Sequence, residues 1–184
     1  MIANLVAKTR PNWRFRRGHS RRPRPTLTHY PIVTMEKLRF ADTDQNGHIS
    51  NAVCAVLCQS ARMEALSDSN RIALAPTHRF LIVELQIAFL AELHWPGTVE
   101  IGTRFENVGR TSVHLDQAVF IDGLCVATAQ STIVLIDAAT RRPSPIPASV
   151  AGQIRRLGGR QTSIGSRLLT TTMSLLGRRR ANAG

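Results

Sequence analysis

The sequence predicts an α+β fold, a curved antiparallel β-sheet wrapped around one long central helix. Three observations carry this. One long apolar helical stretch, at about 51–66, follows a short strand-like segment. That stretch is apolar on several sides, as a helix enclosed by a sheet must be. Four runs with strand periodicity come after it, separated by turn signals.

Taken in order, residues 32–40 alternate weakly and make a short first strand. A polar loop with Asp42, Asp44, Asn46, Gly47 and His48 follows, and Ser50 or Asn51 provides the helix N-cap. In the helix, Val53, Val56, Leu57 and Ala61 fall at i, i+3, i+4 and i+8. Cys54 and Cys58 lie one turn apart on one face, among apolar neighbours that predict burial. In 80–93, Val83, Leu85, Ile87 and Phe89 alternate with Glu84, Gln86 and Ala88, which predicts a half-buried strand ended by Trp95-Pro96-Gly97. Strands over 98–105 and 112–121 follow, joined by a turn at Asn107-Val108-Gly109-Arg110. Asp122-Gly123 is a tight-turn signal, and 124–136 has the small and β-branched residues of a central strand. The four runs read as an antiparallel meander.

A chain of 184 residues, 43% hydrophobic, fits one domain with a real core. The net charge of +12 belongs to the ends. Residues 1–34 hold eight Lys/Arg and no acid, and 151–184 hold seven and none. All twelve acids lie in 35–150, beside nine basic residues. The expected organisation is a basic, disordered arm over 1–34, a folded domain over 35–147 and a basic tail over 148–184. Three readings fit the arm: a targeting segment, a phosphate-attracting arm, or an upstream extension of a chain that starts at Met35. A short helix over 164–176 would make the tail a candidate for resting on an anionic surface, or it is simply frayed. Three cysteines with no metal or CxxC spacing, and no secretion signal, point to a reducing cytoplasm. No run approaches the length of a membrane span.

The chemistry concentrates in 39–62. Asp42-x-Asp44-x-Asn46-Gly47-x-Ile49-Ser50 matches the opening nine positions of a calcium-binding EF-hand loop. The twelfth position, however, is Val53 where a bidentate Glu is needed, and the strand periodicity after it excludes a helical calcium protein. Read otherwise, two carboxylates, an imidazole and a helix N-terminus meet within about ten residues, a reactive-site composition.

The string Arg39-Phe40, Asp42-Thr43-Asp44, Gly47-His48, Asn51 and Ala61-Arg62 resembles the signature of hotdog-fold thioesterases of the 4-hydroxybenzoyl-CoA thioesterase type. The resemblance continues through Trp95-Pro96-Gly97, Gly109-Arg110-Thr111-Ser112, Leu135-Ile136-Asp137 and Arg142-Pro143, over about 32–147. It implies hydrolysis of acyl-CoA or acyl-carrier-protein thioesters without a cofactor or metal, by a homodimer or homotetramer with interfacial active sites. It implies Asp44 as the catalytic carboxylate, either general base or nucleophile, with a partly desolvated side chain favouring the base. His48 would orient the thioester or water, or bridge to Asp44. Asp42 and Gly47 would shape the loop. Asn51, Gln59 and Arg110 are the candidate substrate-binding residues, Arg110 with Arg141-Arg142 for the CoA phosphates. Gln59 stands where relatives often carry Glu, so a helical general base is absent and Asp44 gains weight. The remaining histidines, His94 among them, read as plain surface or loop residues. Two rivals remain: a non-catalytic acyl-CoA-binding protein, and a hydratase, whose Gly-Asp-x-Asn-Pro string is missing. No helix pair suited to reading DNA is present, so no specific nucleic-acid partner is expected.

Overall fold

The computed structural model describes residues 24–158, apart from Ser69. Its strands are β1 (Ile32–Lys37), β2 (His78–Phe89), β3 (Thr98–Val108), β4 (Ser112–Ile121) and β5 (Leu124–Asp137); its helices are α1 (Asn51–Ser67) and α2 (Ala148–Leu157). The strands form one antiparallel sheet in the order β1-β3-β4-β5-β2. Thus β3, β4 and β5 make the expected meander, but β2 is not its first member. β1 occupies the free side of β3, from Ile32 opposite Thr103 to Lys37 opposite Thr98, so β2 pairs instead at the far edge with β5. Asp122 and Gly123 join β4 to β5 with φ of 50° and 74°, the positive pair a tight hairpin turn requires.

Alternation assigns the two faces. Val99 and Ile101 of β3, with Val119 of β4, pack against Cys54, Leu57, Cys58 and Ala61 of α1. α2 lies over the other end of the same face, with Val150 and Ile154 against Phe105, Val113 and Ile133. Residues 148–157 are therefore a core helix rather than the start of a tail. Their basic residues hide an apolar stripe at Val150, Ala151 and Ile154, and each large aliphatic buried there stabilises by about 1.5–3 kcal/mol. The helix expected over 164–176 lies outside the described residues.

On the opposite face Tyr30 packs against Phe120, Ala118 and Cys125. It lies so close to Gly102 that a Cβ there would sit 2.5 Å from the tyrosine ring. The folded chain thus begins ahead of Met35, because Tyr30, Ile32 and Thr34 are all buried. The stretch 24–34 was expected to belong to the arm, because the arginines upstream of it dominate the average over 1–34 and conceal this anchoring.

Two further expectations change. The buried stripe of α1 runs through Cys54, Leu57, Cys58, Ala61 and Ala65, while Val56 is 53% exposed. β2 is not half-buried: Val83 is 63% exposed and Phe89 44%, because among the described residues this edge strand has no neighbour on its outer side. A cleft of about 320 Å³ opens between it and α1.

Candidate active site

The 38–50 loop leaves β1 where Leu38 donates its N–H to the Gly97 carbonyl at 3.0 Å. Phe40–Asp42 form one turn of 3-10 helix, closed through the Asp42 side chain. Its carboxylate accepts the Arg39 backbone N–H at 2.8 Å and the guanidinium Nη2 and Nε at 2.9 and 3.3 Å. Its backbone carbonyl accepts the Ser50 N–H at 2.9 Å, so Asp42 ties both ends of the loop together. The Arg39 guanidinium and N–H hold this carboxyl below the usual range.

Asp44 sits in the turn between. Its Oδ1 accepts N–H bonds from Asn46 at 2.8 Å and His48 at 3.3 Å. The backbone closes around it, Asp44 N–H to His48 C=O at 2.8 Å and Gly47 N–H to Asp44 C=O at 3.0 Å. Gly47 takes φ 76°, the conformation glycine allows without strain. Among the described residues no cationic side chain pairs with Asp44. The side chain is exposed, because the turn stands at the surface of the single chain.

His48 does not bridge to Asp44 through its ring. The ring packs edge-to-face on His94 with centroids 4.7 Å apart, and its Nε2 lies 3.8 Å from Glu92 Oε2. Asn51 is exposed as the first residue of α1, and Ser50, at the cap position, makes no side-chain capping bond. The opening N–H groups of α1 thus lack a side-chain cap, beside Asp44 in sequence.

Gln59 is exposed two turns further on, about 12 Å along the helix axis. It lines the α1–β2 cleft with Val56, Arg62, Val83 and Leu85. Arg110 is not brought to the loop. It lies in the β3–β4 turn, at the opposite end of β3 from Thr98, about 30 Å along the strand, and the chain after β5 that carries Arg141 and Arg142 is at that end too. Antiparallel geometry forces this separation within one chain.

Two features were not drawn from the sequence. Arg62, quoted only as part of a motif, is buried: Nη1 donates to Gln117 Oε1 at 3.2 Å, and Gln117 Nε2 donates to the Cys58 carbonyl and Thr103 Oγ1 at 2.9 and 3.0 Å. Burial lowers its pKa. Glu92 and His94 reach the loop because Ile49 N–H bonds the Leu93 carbonyl at 2.7 Å. No local pattern signals that contact, since the partners are over forty residues apart and the pairing is tertiary. His94 is therefore part of the loop's surroundings, not a plain surface residue. The three cysteines are free and buried; burial pushes Cys58 up to about 12 and raises Cys54 and Cys125, which leaves no thiolate nucleophile.

An antiparallel sheet folded over one long helix, with a polar loop leading into that helix, defines the hotdog architecture. The profile of the thioesterase-like superfamily matches residues 38–154, and the chain belongs to that family. A thioesterase of Thermus thermophilus, solved with coenzyme A and zinc, shares 26% identity, covering 72% of this chain and 98% of its own, with a TM-score of 0.63. The PA5185 protein of Pseudomonas aeruginosa shares 24% over 76% of this chain and 100% of its own, at a TM-score of 0.67. The DHNA-CoA thioesterase of Staphylococcus aureus, 16% identical over 68% of this chain and 91% of its own at a TM-score of 0.61, shares the fold. No curated protein sequence matches this one.

Proposed function

We propose that the protein hydrolyses acyl-CoA or acyl-carrier-protein thioesters to free acid and thiol, with Asp44 as the reacting carboxylate. One observation carries the reading: of two aspartates two residues apart, Arg39 bonds Asp42 three times, while Asp44 stays exposed in the loop that leads into α1. As a base, Asp44 takes a proton from water, whose oxygen adds to the thioester carbon. The oxyanion is stabilised by the first N–H groups of α1 and their positive dipole end. The C–S bond then breaks and the thiolate takes the proton from Asp44. As a nucleophile, Asp44 displaces the thiolate itself and water cleaves the resulting anhydride. His48 and Asn51 orient the thioester at the loop. Gln59 lines the acyl cleft and donates a hydrogen bond. The coenzyme A bound by the Thermus relative favours CoA as the carrier.

The same reading makes the protein a homo-oligomer working in a reducing cytoplasm. Among the described residues the outer edge of β2, twelve residues long, has no strand partner, and Leu81, Ile82 and Val83 beside it are exposed. Pairing of two β2 edges across a two-fold axis joins the sheets, buries these side chains and closes the α1–β2 cleft. Arg110 enters only as a cation supplied by a neighbouring subunit. No helix among the described residues is long and apolar enough to cross a membrane.

The test is free-thiol release from acyl-CoAs ranging from short aliphatic to long and aromatic, with sedimentation measured on the same preparation. Turnover by a dimer or tetramer, with Val83→Glu dissociating the oligomer and losing activity, is the expected result. An intact protein that releases no thiol from any CoA or carrier-protein thioester sinks the enzyme reading.

A further inference from the structure

We propose that His48, Glu92 and His94 form a binding site for a divalent transition-metal ion of the zinc class. The three side chains come from two segments that the fold locks together. His48 and His94 face each other in an isolated antiparallel bridge, adjoining the 2.7 Å bond from Ile49 N–H to the Leu93 carbonyl. Directly opposed residues of an antiparallel pair project to the same side, and residues two apart on an extended segment share a side as well. Glu92 therefore joins the two imidazoles.

The distances agree with that geometry. Glu92 Oε2 lies 3.6 Å from His94 Nε2 and 3.8 Å from His48 Nε2. The three ligating atoms all lie within 4.8 Å of one another. A tetrahedral zinc with bonds of about 2.0–2.1 Å separates its ligands by about 3.3 Å, so small side-chain rotations close the set. Two imidazoles and one carboxylate suit zinc, whereas calcium and magnesium require oxygen ligands. Three protein ligands leave the fourth position to water. An ion held there pins the 42–50 loop to the β2–β3 connection and fixes the His48 ring.

This site shares His48 with the thioester reading, but it needs neither Asp44 nor a substrate, and its affinity for the ion is measured without either. The metal-free full-length protein is titrated with Zn2+ against a chromogenic chelator, and with Co2+ to read the visible absorption of a tetrahedral site. One ion per chain is expected, with at least tenfold weaker binding in Glu92→Gln and in His94→Ala. Zinc should raise the melting temperature of the native protein and not of the variants. Glu92 and His94 are mainly exposed, 65% and 55% by side chain, so both variants should fold, with circular dichroism as the check. Equal affinity and stoichiometry in the native protein and both variants overturns the proposal, as does an absence of binding in the native protein.

Discussion

Arg39–Asp42 in the loop and Arg104–Asp116 on the back of the sheet are the same ion pair at the same distance, 2.9 Å from Nη2 to carboxylate oxygen. Their carboxyls nevertheless shift in opposite directions. Asp42 receives two side-chain bonds and a backbone N–H, all from Arg39, and the Asp42 pKa falls. Asp116 is desolvated beside Glu106, shares one guanidinium nitrogen with it, and is pushed up to about 6. Pair geometry alone does not set protonation; the number of donors to the carboxylate, and whether a second acid shares its cation, also decide it. Asp44 makes a third arrangement, with backbone donors and, among the described residues, no cationic partner.

The contrast is sharpened most by Asp44→Asn. Thiol release should fall by about a thousandfold or more, equivalent to about 4 kcal/mol of barrier, without a change in melting temperature. The side chain is exposed and an amide oxygen still accepts the Asn46 N–H. An Asp44→Asn protein that keeps its rate would break the division of labour between the two loop aspartates.

The next effect is on pH dependence. Asp116 binds its proton more tightly folded than unfolded, with the folded value near 6 against an ordinary 3.8. Stability from this group is therefore fully present below about pH 4 and lost as pH rises through 6, by about 2–3 kcal/mol. Urea unfolding of the native protein and Asp116→Asn across pH 4–7 should show the gap between them move in that direction. A flat difference would place Asp116 with Asp42 after all.

Asp42→Asn should lower activity about tenfold together with the melting temperature, because the loop that positions Asp44 loses its anionic tie. The two readouts separate it from Asp44→Asn, which moves one alone. Arg39→Gln should have the smallest effect. An exposed guanidinium is screened by water and contributes little, and the backbone N–H of residue 39 continues to hold Asp42.

The sheet and central helix were legible because they rest on local periodicity. Strands β3 to β5, the Asp122-Gly123 turn and the burial of Cys54 and Cys58 follow from spacing alone. What was not legible depends on partners distant in sequence. The edge position of β2 is decided by β1 taking the side of β3, and the burial of Tyr30 by the missing side chain of Gly102. Within the site, the hydrogen bonds of Asp42 and Asp44 span at most eight residues, so sequence brings these groups together. The partners of the His48 ring come from the β2–β3 connection, and the far placement of Arg110 from strand direction, neither of which a linear pattern encodes.

The buried cysteines bear on how turnover is watched. All three thiols of the chain are enclosed, and burial holds each of them in the protonated form near neutral pH. Aromatic disulfide reporters react with thiolates, so the folded protein should contribute almost no colour of its own. The signal in a continuous assay then belongs to released coenzyme A, and a slow rise without substrate reports unfolding. One cuvette thus follows both catalysis and loss of the native state.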